Sequence, residues 1–234
     1  MSILLLVIAL FPDARIANLP TGRALEDANW QLQVSHRFYA PVIDSTRGHD
    51  LLGFLATPTV LLELNRRLSR TFVMGIELQL VQAVGLQAEY APVRFLHIRA
   101  EAYTLFNDIK LANTWLSAGP LVPYTWRNLH LVAFPRLTTN TRSHVVSAGL
   151  GAKYGLGGGL ALGAEVEPVL YASADVARGK LAWNLAFEKE IGWHNFALTV
   201  GNTYSQLVPY SFTAADLDIT RARFRVGFNI MRKF

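Results

Sequence analysis

The chain of 234 residues contains no cysteine and little charge. The lack of cysteine excludes a disulfide framework and a thiolate metal site. Charged residues make up 17% of the chain and hydrophobic residues 51%, whereas a soluble domain usually has about a quarter of its residues charged. The formal net charge is +5, but the Lys and Arg residues are scattered and form no cluster interleaved with aromatic residues. Binding to nucleic acid is therefore not predicted.

The apolar run at the start of the chain is too short for a transmembrane helix, which needs about 20 residues. Residues 3–10 are all apolar, and a small-residue site that ends at Ala14 follows them. This pattern is typical of a secretory signal, although the usual basic residues before the apolar run are missing. A buried first strand or helix is the alternative interpretation. We predict a signal-peptide-like leader over residues 1–14, an N-terminal periplasmic segment over 15–29 and a single domain over 30–234.

From Trp30 onward, apolar residues alternate with polar or small ones. Met74, Ile76 and Leu78, for example, alternate with Glu77 and Gln79. A helix would bring apolar residues back every three to four positions, so a period of two indicates strands. Runs of this kind predict twelve strands, over residues 30–38, 58–66, 71–81, 84–91, 94–106, 112–121, 129–138, 145–155, 160–171, 179–190, 195–204 and 222–233.

The connections between these strands alternate in length. Those after strands two, four, eight and ten are tight, and the one after strand six, around residues 124–128, is a little longer. Two of those after odd-numbered strands are the longest, at residues 39–57 and 205–221, although the turn after strand three is nearly absent. Short turns at one end and long loops at the other are typical of outer-membrane barrels, which have an even number of strands. We therefore predict an all-β protein: a transmembrane, antiparallel, up-and-down β-barrel of about twelve strands, with both termini periplasmic, in a bacterial outer membrane.

The apolar face of the strands is expected to contact lipid. It carries bulky side chains, and over its central positions most strands have no charge. A Lys or Arg that faces lipid at the bilayer midplane costs about 2–4 kcal/mol, so shifting the last strand by one residue, which would turn Arg223 and Arg225 outward, is strongly disfavoured. The large apolar groups expected outside are Trp30, Phe72, Trp183, Phe196, Phe224 and Phe228.

The opposite face mixes glycine with charged residues and is expected to line the lumen. One interpretation is a constriction that selects solutes by charge. The other is a plugged interior in which the charged groups pair with one another, as the narrow bore of about twelve strands favours. The predicted lumen-lining residues are Arg37, Glu77, Glu89, Arg99, Glu101, Lys153, Glu165, Glu167, Lys180, Glu188, Arg223 and Arg225.

The chain shows no recognisable catalytic or metal-binding motif. Its six histidines lack the close paired spacing of metal ligands. Ser143 and His144 are neighbours, and neighbours in a strand point to opposite faces, so they do not form a nucleophile–base pair. The glycine-rich stretch at residues 155–159 lacks the lysine of a phosphate loop, so we interpret it as a flexible turn. We predict no catalytic, cofactor-binding or metal-binding residue and no cofactor.

The last strand carries the strongest local signal. Phe224, Val226, Phe228, Ile230 and Phe234 fall on one face, and the last residue is aromatic. This arrangement resembles the closing-strand signal that the barrel assembly machinery recognises. Arg232 departs from it, since an aromatic or apolar residue is often found third from the end.

Four segments occur in an order that resembles a known family: Val34-Ser-His-Arg-Phe38, Gly53-Phe-Leu55, His194-Asn-Phe196 with Asn202 downstream, and Gly227-Phe-Asn-Ile-Met-Arg-Lys-Phe234. Together they resemble an uncharacterised, domain-of-unknown-function family of bacterial outer-membrane β-barrels. The resemblance covers roughly residues 28–234, and Gly-Phe-Asn-Ile is its most specific part. It implies the fold and the location, and no established activity.

Three functions are compatible with these features. The first is a narrow channel for small solutes through the charged lumen. The second is a closed scaffold barrel that docks a periplasmic or surface protein partner through the loops at 39–57 and 205–221. The third, a membrane-embedded hydrolase, has no positive support in the sequence. In each case we expect membrane lipid and, during biogenesis, the barrel assembly machinery as partners.

Overall fold

The structure, a computed structural model, describes residues 15–22, 28–38, 41–42, 58–80, 82–106, 113–176, 181–207, 215–218 and 223–234. No helix within these residues is long and apolar enough to cross a bilayer. Within them the strands are β1 (Trp30–Phe38), β2 (Pro58–Arg67), β3 (Phe72–Gln79), β4 (Ala83–Val93), β5 (Leu96–Leu105), β6 (Trp115–Trp126), β7 (Leu129–Thr139), β8 (His144–Gly157), β9 (Leu160–Glu167), β10 (Val169–Ala172), β11 (Ala182–Ile191), β12 (His194–Gly201) and β13 (Arg225–Lys233).

The strands close into one antiparallel barrel. From β1 to β9 each strand pairs with the next, β11 pairs with both β9 and β12, and β13 pairs with β12 and β1. Strands β9 and β10 form a single crossing, because both pair with β8 and only Pro168 separates them. A proline cannot donate a ladder hydrogen bond, which explains the break. The barrel therefore has twelve crossings, and the predicted fold is confirmed.

The two ends of the barrel differ in their connections. One end, here called the short-turn rim, carries the turns at residues 68–71, 94–95, 127–128, 158–159 and 192–193. At the other end, the long-loop rim, β1 ends at Phe38, β2 begins at Pro58, β12 ends at Gly201 and β13 begins at Arg225. The first and last strands meet at the short-turn rim, where the Phe234 backbone N–H donates to the Trp30 carbonyl at 3.0 Å.

The outer surface is apolar, as the alternation predicts. Leu64, Ile76 and Leu86 are direct neighbours across β2, β3 and β4, and their side chains remain 39%, 46% and 57% exposed. The residues of the predicted closing-strand signal also avoid the interior: Phe224, Val226, Phe228 and Ile230 are half-buried or exposed, and Phe234 is exposed. An exposed apolar belt of this kind is the surface that a bilayer covers.

A ring of exposed aromatic side chains surrounds the short-turn rim. Its members are Trp30, Tyr90, Phe95, Tyr124, Trp126, Tyr154, Trp193 and Phe234. Three arginine guanidinium groups lie over these rings. The distance from the guanidinium carbon to the ring centre is 4.9 Å for Arg66 over Trp30, 5.1 Å for Arg127 over Trp126 and 4.9 Å for Arg232 over Phe234. Aromatic girdles mark the level of the lipid headgroups in membrane barrels.

Five predicted strand boundaries differ from the structure by three residues or more. The strands predicted to begin at residues 112, 179 and 222 begin at Trp115, Ala182 and Arg225, and the predicted strand ends at 121 and 204 also differ. The strand predicted over 112–121 is β6, which continues to Trp126, so the turn that follows is only Arg127–Asn128. Arg127 forms this tight turn by adopting a positive φ of 51°. The strand predicted over 195–204 ends at Gly201, because Asn202 turns inward and its side chain donates to the carbonyls of Leu181 and Leu217.

The apolar belt yields a direct test of membrane placement. We expect Leu86→Arg to destabilise the folded protein in lipid vesicles by about 2–4 kcal/mol, because Leu86 faces outward beside Ile76, at the middle of β3. The matched control is Leu68→Arg in the turn at the short-turn rim, where the same change costs about 0–1 kcal/mol. Urea unfolding in vesicles measures both. Equal losses would contradict the depth that we assign to Leu86.

Candidate functional site

The inner face of the barrel wall is strongly polar. Ten of the twelve predicted lumen-lining residues lie on strands with their side chains buried or nearly so: Arg37, Glu77, Glu89, Arg99, Glu101, Lys153, Glu165, Glu167, Glu188 and Arg225. Arg223 is exposed and lies before β13 begins, and Lys180 lies outside the described residues.

Several of these side chains form a chain of ion pairs around one side of the wall. Arg99 Nε donates to Glu101 at 2.6 Å, and its Nη1 donates to Glu89 at 3.2 Å. Arg136 reaches Glu101 at 3.6 Å and binds Glu167 through two hydrogen bonds of 2.8 and 2.6 Å. Each carboxylate in this chain therefore has a cation on the wall itself.

Residues 15–22, here called the inner segment, occupy the bore. We predicted residues 15–29 as a periplasmic segment, but Ile16, Ala17 and Thr21 are 0–1% exposed and surrounded by barrel strands. The segment folds back on itself, since the Ile16 N–H donates to the Leu19 carbonyl at 2.8 Å. Groups from several strands around the wall contact it.

Glu165 on β9 binds the backbone of the inner segment. Its carboxylate accepts hydrogen bonds from the N–H groups of Ala17, Asn18 and Leu19 at 2.8–3.1 Å. The wall contributes one more donor, the Asn184 side chain at 2.9 Å. Hydrogen bonds to a charged acceptor are roughly twice as strong as neutral ones, so this carboxylate is a principal anchor of the segment.

Groups on other strands of the wall bind the carbonyls of the inner segment. Arg37 on β1 donates to the Ala17 carbonyl at 3.1 Å, and Asn229 on β13 donates to the same carbonyl at 3.2 Å. On β7, His130 Nε2 lies 2.9 Å from the Thr21 carbonyl. A carbonyl only accepts, so His130 carries its proton on Nε2, and its Nδ1 accepts from Thr125 at 2.8 Å.

The Arg15 side chain extends from the inner segment to β2 and β3. Its Nε donates to Glu63 at 2.7 Å, and its Nη2 donates to Glu77. All three side chains are at most 5% exposed. Breaking a buried ion pair by removing one partner costs about 3–5 kcal/mol, so this triad ties the inner segment to the wall.

Apolar contacts complete the attachment. Ile16 and Leu19 pack with Leu121, Val132 and Phe134 in one buried cluster inside the barrel. Glycines on the neighbouring strands make room for these side chains, because a Cβ atom would overlap Leu19 at Gly149 and Ile16 at Gly151, and would lie 2.8 Å from Ile16 at Gly163.

A second group of inward residues lies towards the long-loop rim. Leu207 and Ala215, from the connection between β12 and β13, are fully buried and cluster with Leu61, Tyr103 and Val145 on the wall. Arg225 adds a double hydrogen bond to Asp216 of 2.6 and 2.9 Å. The bore is thus filled at two levels, by the inner segment and by this connection.

His36, His97 and the Ser143–His144 pair have structural partners, whereas His49 lies outside the described residues. His97 contacts Glu89 at 2.7 Å, and His36 stacks on Phe228 with ring centres 4.5 Å apart. The Ser143 hydroxyl donates to Asp175, whereas His144 Nδ1 contacts Thr139 at 2.6 Å, so the two neighbours take different partners. In the part of the chain that the structure describes, no group of three His, Asp or Glu side chains could hold a metal ion.

Three central residues were missed by the sequence analysis: Arg15, Glu63 and Arg136. Glu63 and Arg136 could have been found, because each lies on the polar side of an alternating run, between Leu62 and Leu64 for Glu63. Arg15 had no such signal, since it precedes the first strand and contacts residues 48 and 62 positions away in the chain.

Known structures with the same architecture include porins. The KdgM porin matches with a TM-score of 0.53 and 11% identity, over 87% of this chain and 99% of that one. The NanC porin gives 0.52 and 8%, over 88% and 98%. Omp33, an outer membrane protein of Acinetobacter baumannii, gives 0.50 and 8%, over the same shares. At such low identity the likeness establishes the shared fold.

Comparison of sequences assigns the family. No curated protein matches the chain. A family profile described as a membrane bound beta barrel domain, DUF5777, matches residues 110–234, a stretch that includes the His194-Asn-Phe196 and Gly227–Phe234 segments. With more than half of the chain matched, the protein belongs to this family of membrane-bound β-barrel domains, and as a closed barrel with an apolar outer belt it is integral to the outer membrane.

Proposed function

We propose that this barrel is a narrow channel for small solutes and that the inner segment closes its bore in the state described here. One observation carries the proposal: the obstruction of the bore is a separate segment held by side chains, while the β-ladder around it is continuous. Removing the segment would leave the wall intact. A bore lined with charged groups then remains, as a selective pore requires.

The strength of the attachment supports a closed resting state. Burial of Ile16 and Leu19 contributes about 3–6 kcal/mol, and the polar contacts of Glu165, Arg37 and Arg15 add to it. A ligand or partner that opens the channel must therefore offset several kcal/mol. A ligand must bind the open state about 5.5 kcal/mol more tightly than the closed state to shift a two-state equilibrium from 1:99 to 99:1.

We place the short-turn rim on the periplasmic side, since short turns face the periplasm in bacterial outer-membrane barrels. The inner segment then enters the bore from the periplasm, because Thr21 and Gly22 lie near His130 and His97 at that end while Arg15 reaches deeper. Porins among the similar folds support transport as the role. We also propose that the barrel assembly machinery reads the outward face of β13.

A closed scaffold is the second candidate, and the cluster at the long-loop rim favours it. Leu207 and Ala215 fill the bore independently of the inner segment, so release of the segment alone could leave the barrel shut. A barrel of this kind would act by docking a surface or periplasmic protein. We propose no hydrolytic role, because the Ser143 hydroxyl binds Asp175 and the His144 ring binds Thr139.

Glu165→Gln should loosen the inner segment. The amide oxygen still accepts hydrogen bonds, but the charge that strengthens three of them is lost, at an expected cost of about 1–2 kcal/mol. We expect amide hydrogen exchange at Ala17, Asn18 and Leu19 to accelerate about tenfold, since 1.4 kcal/mol corresponds to that factor. Glu101→Gln, which also removes a buried wall carboxylate but touches none of these N–H groups, should leave their exchange rates unchanged. Similar acceleration in both variants would argue against the assigned anchor.

Ile16→Ser combined with Leu19→Ser should open the channel. These changes remove the apolar attachment and leave every charge on the wall in place. In planar bilayers we expect the folded double variant to show resolved single-channel steps far more often than the unchanged protein. Leu68→Ser in an exposed turn is the control and should behave like the unchanged protein. A folded but silent double variant would contradict opening by release of the apolar attachment and favour the scaffold.

A further inference from the structure

Two carboxylates face the bore directly opposite each other on neighbouring strands. Glu63 on β2 is the register partner of Glu77 on β3, and their side chains are 2% and 0% exposed. Like charges placed opposite each other destabilise an antiparallel pair. A buried carboxylate without a cation is costlier still, at several kcal/mol. A cation placed between the two carboxylates therefore stabilises this point of the wall.

The cation that fills this position does not come from the wall. The Arg15 guanidinium lies between the two carboxylates, with Nε on Glu63 at 2.7 Å and Nη2 on Glu77. Within the described residues it is the ion-pair partner of both. Arg99, on β5, is already engaged by Glu89 and Glu101. Arg15 thus occupies the position as a ligand would, tethered by its own chain.

The site retains further acceptor capacity. The second Glu77 oxygen, Oε2, is buried and has no hydrogen-bond partner among the described residues. The remaining Glu63 oxygen is held in place by Asn65 at 2.6 Å and Gln87 at 2.8 Å, so the carboxylate is oriented from the wall side. A planar group with several N–H donors matches two such carboxylates better than a compact ammonium does.

Departure of the inner segment would leave the bore with an excess of negative charge. Glu63 and Glu77 would lose Arg15, and Glu165 would lose three backbone N–H groups. On the cationic side, Arg37 would lose its contacts with Ala17 and Asn18 but would keep Asn229. Three carboxylates against one guanidinium favour cations in the opened pore.

We infer that Glu63 and Glu77 form a binding site for guanidinium-type cations, filled here by Arg15, and that the channel carries small organic cations of this class. The second statement rests on the proposed channel function, whereas the first does not. A solute with a guanidinium group competes with Arg15 for the two carboxylates. Its binding therefore weakens the hold on the inner segment and couples recognition of the solute to opening.

Methylguanidinium, which reproduces the end of the Arg15 side chain, is the probe for the binding site. Calorimetry on folded Arg15→Ala protein should detect its binding, and binding to Arg15→Ala with Glu63→Gln and Glu77→Gln should be at least about tenfold weaker. Tetramethylammonium, a cation without N–H donors, should bind neither variant. Equal affinity of methylguanidinium for both variants would overturn the site.

Planar bilayers test the transport statement on the same proteins. In a KCl gradient, Arg15→Ala should give a reversal potential that favours K⁺ over Cl⁻, and the triple variant should lose this preference. On the unchanged protein, millimolar methylguanidinium should raise the opening frequency while tetramethylammonium leaves it constant, which keeps the test valid if Arg15→Ala folds poorly. A conducting Arg15→Ala that prefers Cl⁻ would refute cation transport alone. Binding of methylguanidinium without conductance in any variant would refute the channel function and leave the proposed binding site standing.

Discussion

The interior of this barrel is organised by the need to neutralise buried carboxylates. Lipid surrounds the wall, and the bore is narrow, so a carboxylate that points inward must find its cation or donors within the bore. Glu89, Glu101 and Glu167 do so on the wall, through Arg99 and Arg136. Glu63 and Glu77 instead form ion pairs with Arg15, and Glu165 accepts hydrogen bonds from the backbone of residues 17–19, so the inner segment supplies partners for all three.

This division of the carboxylates explains why one polypeptide segment can be both structural and functional. In the closed state, Arg15 and the N–H groups of residues 17–19 satisfy three buried charges, which stabilises the barrel. In the proposed channel, the same contacts hold the inner segment in the bore, so a solute that replaces them also releases it. Apolar packing of Ile16 and Leu19 then favours the proposed closed state until a competitor is present.

The barrel itself could be predicted from the sequence because alternation is a local signal. Within each strand, the alternation separates the residues of one face from those of the other. The lack of charge on the apolar face indicates that this face contacts lipid. The inner segment could not be predicted in this way, because residues 15–22 have no period and their contacts are made with strands far along the chain. Two indirect signs were present. Val132 and Phe134 are apolar on an inward face, and Gly149, Gly151 and Gly163 leave space there, which together indicate an apolar body inside the bore.

The central claim, that the inner segment lies in the bore, can be tested by disulfide trapping. The chain has no cysteine, so Ile16→Cys with Gly163→Cys introduces a single pair, at positions where a Cβ atom on residue 163 would lie 2.8 Å from Cγ2 of Ile16. We predict that this pair forms an intramolecular disulfide in the folded, membrane-inserted protein, whereas Ile16→Cys with Leu68→Cys at the exposed turn does not. Free thiols in both pairs, equally reactive towards a water-soluble maleimide, would contradict the claim.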